Sequence, residues 1–111
     1  MTVTLGEIEI RYYDLKGLAL FLADYFRDCE QVFLNIETRP FDYGIAYYIV
    51  VKGERRIVGK GFYDRILKIS WNVCLDVEKG CNEIHNRTKR AVEELYKLLR
   101  DLGIKVYLKN V

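Results

Sequence analysis

The clearest periodic signal lies near the C-terminus. Ile84, Thr88, Ala91, Leu95, Leu98 and Leu102 recur at spacings of four and three, and Val92 and Leu99 widen the stripe. Apolar positions at that period line one side of an α-helix. Asn82 is placed to cap its start and Gly103 to follow its end. A weaker stripe of Leu15, Leu18, Leu22, Tyr25 and Phe26 predicts a helix up to about Cys29, with Asp14 as its cap. Gly17 weakens that helix by roughly 1 kcal/mol relative to alanine.

The remaining periodicity is two. Val3 to Tyr13 reads as one half-buried strand, with Ile8, Ile10 and Tyr12 on one side. Val32, Leu34 and Ile36 give a short strand that Arg39-Pro40-Phe41-Asp42 should break. Tyr43 to Lys52 alternates most strongly, with Tyr43, Ile45, Tyr47, Ile49 and Val51 on one face. Gly53-Glu54 reads as a two-residue hairpin turn, Ile57 to Tyr63 as the next strand and Asp64-Arg65 as the next turn. Ile66 to Val77 follows, with Leu67, Ile69, Trp71, Val73, Leu75 and Val77 on its apolar face. Ile104, Val106 and Leu108 form a short last strand.

The predicted order is therefore β-α-β-β-β-β-α-β in a single domain, residues 1–111. Four strands joined by short turns make an antiparallel meander, and two one-sided helices must cover one face of the sheet. The expected fold is an α+β two-layer sandwich. The order of its first seven elements is similar to that of a half-domain of TATA-box-binding-protein-like folds, and to helix-grip folds. The resemblance is one of topology, and no sequence motif of either family accompanies it.

Composition narrows the class. Of 111 residues 50% are apolar, and the net charge is only +2, which excludes a disordered chain. The start Met1-Thr2-Val3-Thr4 has neither a basic nor a long apolar region, and no stretch is long enough to span a bilayer. A cytoplasmic protein with no membrane partner is expected. One Gln, one Met, one Ser and one His beside many Lys, Glu and Tyr is a thermophile-like, archaeal-like composition. Three cysteines, an odd number, argue against a disulfide framework, although one bridge among Cys29, Cys74 and Cys81 is compatible with a thermophile.

The same scarcity prunes mechanisms. Ser70 and His85 are single and have no elbow or triad context, and the chain contains no phosphate-binding loop and no zinc-protease motif. Cys81 and His85 are four apart, a spacing that could share a helix face, yet too few further ligands lie near for a metal site. The acidic set Glu7, Glu9, Asp14, Asp24, Asp28, Glu30, Glu37 and Asp42 would need to converge before it could serve a metal-dependent nuclease. No catalytic residue, metal or cofactor is expected.

Charge is unevenly spread. Residues 1–51 have a net charge of −4, residues 52–68 of +4 and residues 69–111 of +2. The positive stretch carries Lys52, Arg55, Arg56, Lys60, Arg65 and Lys68, with Tyr48, Phe62 and Tyr63 close by. Cations neutralise phosphates and rings stack on bases without sequence preference. The sequence thus points to a non-enzymatic domain binding single-stranded DNA or RNA through those nine residues. Gly59 and Gly61 beside Lys60 would leave room for a ligand or a bulge. Nine tyrosines exceed what one small core needs, which makes a protein-interaction module, either a homodimer or an accessory subunit, the alternative. A small-ligand pocket between the long helix and a curved sheet is the third expectation.

Overall fold

The computed structural model describes the backbone of residues 2–5, 8–11, 14–57 and 60–109 and the side chains of residues 14–55 and 65–109. The elements are β1 (Thr2–Leu5), β2 (Ile8–Arg11), α1 (Leu15–Tyr25), β3 (Gln31–Phe41), β4 (Gly44–Ile57), β5 (Lys60–Cys74), α2 (Asn82–Asp101) and β6 (Val106–Leu108). The strands form one sheet in the order β2-β1-β5-β4-β3-β6. All neighbours are antiparallel except β3 and β6, which are parallel, so the fold is α+β with a mixed sheet. The parallel pair follows from α2. Its 20 residues rise about 30 Å, enough to carry the chain from the end of β5 back to the end where β3 begins. Gly103, at φ +85°, ends α2, and Ile104 N–H donates to the Leu99 carbonyl before β6 enters beside Val32.

The meander has three long strands rather than four. Gly53-Glu54 is not a turn: β4 runs through it with a register irregularity. A Cβ on Gly53 would lie 2.4 Å from Phe26 Cδ1 and 2.6 Å from Cys29 Sγ. The glycine is required by the close approach of the chain after α1, not by chain reversal. Asp64-Arg65 likewise lies inside β5, Gly53 pairing with Arg65 and Glu54 with Tyr63. Pro40 does not break β3 either. It pairs with Ile45 of β4, while β6 covers only Val32 to Leu34 on the other side, so proline sits on an edge where no ladder donor is needed. The first strand is instead two, β1 and β2. The observed order, β-β-α-β-β-β-α-β, differs from the one that resembles TATA-box-binding-protein-like and helix-grip topologies.

One strand face and both helices share the core. Leu18, Ala19, Leu22 and Phe26 meet Val32, Leu34, Ile49, Val51, Leu67, Ile69 and Val106, with Ala91, Val92, Leu95 and Leu99 from α2. The stripe on α2 is used as its period predicts, and Val92, Leu95 and Leu99 fill the space above the sheet. The hydroxyl of buried Thr88 donates to the Ile84 carbonyl at 2.8 Å, which settles its one polar atom. Asp14 caps α1 by accepting from Gly17 N–H, as its type and position predict, but the helix stops at Tyr25 rather than Cys29.

A second register irregularity, between Tyr47 and Tyr48, has wider consequences. Tyr47 pairs with Asn72 and Tyr48 with Ser70, so Trp71 is the extra residue on β5. One inserted residue exchanges the two faces of a strand beyond it. Leu67 and Ile69 are buried, as alternation predicts, but past Trp71 it is Cys74 that is buried, and Val73, Leu75 and Val77 emerge into solvent. Those three, expected on the apolar face, are therefore not part of the core.

Candidate interaction surface

The basic strip is described only in part. The side chains of Arg56, Lys60, Phe62 and Tyr63 lie outside the described residues, as does Gly59. The described members divide between two sides of the sheet. Arg55 and Arg65 turn to the side of α1, where both meet Asp28, Arg55 at 3.7 Å and Arg65 at 2.6 Å. Arg65 also donates to the Tyr25 carbonyl at the end of α1, and its guanidinium lies 5.3 Å from the Tyr25 ring centroid. A cation there meets the unsatisfied carbonyl end of the helix dipole. Hydrogen bonding from Arg65 holds the Asp28 carboxyl below its ordinary value of 3.8, and the charges of Arg65 and Arg55 add to this. This is a knot tying α1 to β4 and β5.

Lys52 and Lys68 stand on the opposite face. Lys68 pairs with Val50, and its ammonium reaches across β4 to Glu37 on β3 at 3.2 Å. Val50 beneath has no exposed surface. Tyr48, half-buried, pairs in register with Glu37 and Ser70. The four described cations of the stretch thus do not share one face. Arg55, Arg65 and Lys68 meet carboxylates, and Lys52 is half-buried and in register with Phe33. Alternating side chains could not show this, because the bulge near Asp64 resets which side of the hairpin faces α1.

The other constellations also resolve. Cys81 is the residue before α2 and is bonded to Cys74, so it is no thiol partner for His85. His85 instead lies edge-on to Tyr47, ring centroids 6.0 Å apart. Cys29 takes no part in that disulfide. Among the described residues no three His, Cys, Asp or Glu side chains are placed to hold a metal ion. Also among the described residues, no helix is long and apolar enough to cross a membrane.

The end of the sheet where β3 turns into β4 carries a different feature. The turn residues Asp42 and Tyr43, with Pro40, Phe41, Gly44 and Ile45, face the segment Leu75 to Glu78 across an open cleft of 580 Å³. Tyr43 is 79% exposed and Leu75 70%, and Phe41 and Val77 are about half as covered as core side chains would be, at 43% and 51% exposure. Asp42, Asp76 and Glu78 lie in its lining, and among the described residues no cation does. Lys79 stands outside it on Asp76, at 3.7 Å.

Both walls are fixed. The Cys74–Cys81 bond closes the 75–80 segment into a loop, with Cα atoms 5.9 Å apart. Inside it, Gly80 N–H donates to the Val77 carbonyl and Lys79 N–H to the Asp76 carboxylate. Gly44 brings the walls together: a Cβ there would lie 2.0 Å from the Cys74 carbonyl oxygen. Alternation continues the strand to Val77 and places Leu75 and Val77 on its apolar face, but β5 ends at Cys74 and both lie in the loop that follows. The spacing of Cys74 and Cys81 around Glu78-Lys79-Gly80 was the available clue to the loop. The chain matches no protein-family model, no curated protein and no solved structure, so the cleft is read from its own geometry.

Proposed function

We propose that the chain is a protein-interaction module that buries the cleft end against another polypeptide. The carrying observation is the cluster of Phe41, Tyr43, Leu75 and Val77, exposed together and rimmed by three carboxylates. Contiguous apolar surface with a polar rim marks interaction sites on soluble domains. A disulfide that pins the loop carrying Leu75 and Val77 belongs to a surface rather than to a core defect. We read the architecture as two layers, helices on one and sheet on the other, which leaves the sheet end as an uncovered apolar site. The test is a photo-crosslinking amino acid in place of Tyr43, irradiated in a native extract. Adducts on a defined polypeptide that disappear with Leu75→Asp support the reading. An absence of polypeptide adducts with the fold intact by circular dichroism overturns it.

A second reading, binding of single-stranded nucleic acid, has one observation in its favour. Backbone pairing of β4 with β5 continues through Arg55↔Phe62, Arg56↔Gly61 and Ile57↔Lys60, beyond Glu54, where pairing with β3 stops. A two-stranded ribbon of this kind fits nucleic-acid grooves, and its sequence supplies Arg55, Arg56 and Lys60 with Phe62 and Tyr63. Fluorescence anisotropy with labelled DNA and RNA at two salt levels tests it. Affinity falling steeply with salt and lost in Arg56→Ala/Lys60→Ala supports it, and affinity indifferent to that substitution counts against it.

A further inference from the structure

We infer that the groove between α1 and α2 is a self-association surface, where a second copy packs α1 of each chain on α2 of the other across a two-fold axis. The surface is separate from the cleft at the sheet end. The argument for it starts from a contrast between the helices. α2 is amphipathic in the ordinary way: its apolar stripe serves the core, and most of its remaining positions are polar or charged. α1 reads Leu-Lys-Gly-Leu-Ala-Leu-Phe-Leu-Ala-Asp-Tyr, with Lys16 and Asp24 its only charges. Its buried residues are Leu18, Ala19 and Leu22 alone, and Leu20, on the far side from Leu18, is 54% exposed. A helix that stays apolar beyond its core face calls for a further neighbour.

Leu20 does not stand alone. With Lys16 and Ala19 of α1 and Leu98, Asp101 and Leu102 of α2 it lines an open groove of 240 Å³. Leu98 is half-buried and Leu102 is 44% exposed. The lining is apolar except for Lys16 on one helix and Asp101 on the other, and among the described residues neither is in an ion pair. This charge pattern is complementary to itself. A two-fold axis along the groove exchanges the two walls and keeps each residue at its own level. Because all six residues line one short groove, Lys16 then meets the partner's Asp101, and Leu20 meets the partner's Leu98 and Leu102. Each group finds its complement in one isologous contact, which closes at two copies. A foreign apolar helix would cover the leucines but would leave the lysine and the aspartate unanswered.

Sedimentation of the full protein tests this. The weight-average mass should rise with concentration from 13.1 kDa and level off at two copies. Leu20→Glu should leave a monomer with the circular dichroism of the natural chain, since that side chain is already more than half in water. Lys16→Glu alone, or Asp101→Lys alone, should each raise the dissociation constant about tenfold or more, because like charges then face each other across the axis. An equimolar mixture of those two variants should associate again, and so should the chain carrying both changes, because every contact is then between opposite charges. A monomer at every concentration overturns the inference. A dimer that survives Leu20→Glu, or one indifferent to both charge reversals, overturns it in favour of another surface. A monomer that enhances the fluorescence of the dye anilinonaphthalene sulfonate, with the enhancement lost in Leu20→Glu, overturns it in favour of a small apolar ligand. Tyr43 lies outside the groove, so its crosslinks report on the cleft reading separately.

Discussion

The two ends of the β4–β5 hairpin handle their chemistry in opposite ways. At the root of the ribbon, charge is compensated inside the molecule: Asp28 takes both Arg55 and Arg65, and Arg65 also serves the end of α1. At the cleft end, apolar side chains and carboxylates are left facing water. Groups that satisfy one another hold a fold together, and apolar side chains exposed at a rigid surface are available to a partner. Arg55 and Arg65, which stand out by charge, thus help to hold α1 to the sheet, and Leu75 and Val77, which alternation places on an apolar face, line the cleft.

A glycine stands at each end, and replacing either sharpens the contrast. Gly44→Ala should be the most damaging change, about 3 kcal/mol or more, because its Cβ would collide with the Cys74 backbone, which cannot step aside. Chemical denaturation measures it, and a loss well under 1 kcal/mol would show that the walls are not tightly joined. Replacing Cys74 and Cys81 together by serine should cost about 2–3 kcal/mol for a loop this short. It should also weaken capture of a partner at the cleft beyond what stability explains, since Leu75 and Val77 lose their fixed wall.

At the root, Gly53→Ala should cost about 1–2 kcal/mol, less than at Gly44, because the obstruction is the Phe26 ring and the Cys29 sulfur rather than backbone. Phe26→Leu in the same chain should recover part of the loss, and strict additivity of the two would contradict the contact. The Asp28 knot makes a smaller, pH-dependent contribution. Its carboxyl is held below 3.8, so its stabilisation is fully present above that pH and disappears as pH falls through the folded value. The melting temperature of Asp28→Asn should lie below that of the natural chain at pH 7, and the gap should close in acid. A gap that widens in acid would contradict the pairing.

The smallest effect on stability belongs to the cleft itself. Leu75→Ser with Val77→Ser should change the unfolding free energy by no more than about 0.5 kcal/mol, since both side chains are already mostly in water. The same pair should abolish crosslinking from Tyr43. Loss of stability comparable to that of a core substitution such as Leu95→Ala, about 2–5 kcal/mol, would place those residues in the interior instead.

Much of this protein is determined along the chain. The stripe from Thr88 to Leu99, the Asp14 cap, the Gly103 terminator and the alternation of Tyr47, Ile49 and Val51 depend on neighbours three, four or two residues away, and each appears where the local pattern places it. Contacts between distant segments decided the rest. Whether Gly53 is a turn depends on Phe26, whether Pro40 breaks a strand depends on which edge β6 leaves uncovered, and whether Val73 or Cys74 faces the core depends on a single extra residue at Trp71. The same holds for charge: Arg55 and Arg65 are near Lys52 and Lys68 in sequence, yet a pleated strand sends neighbours to opposite faces, and only the bulges and the carboxylate across the gap settle which face each one serves.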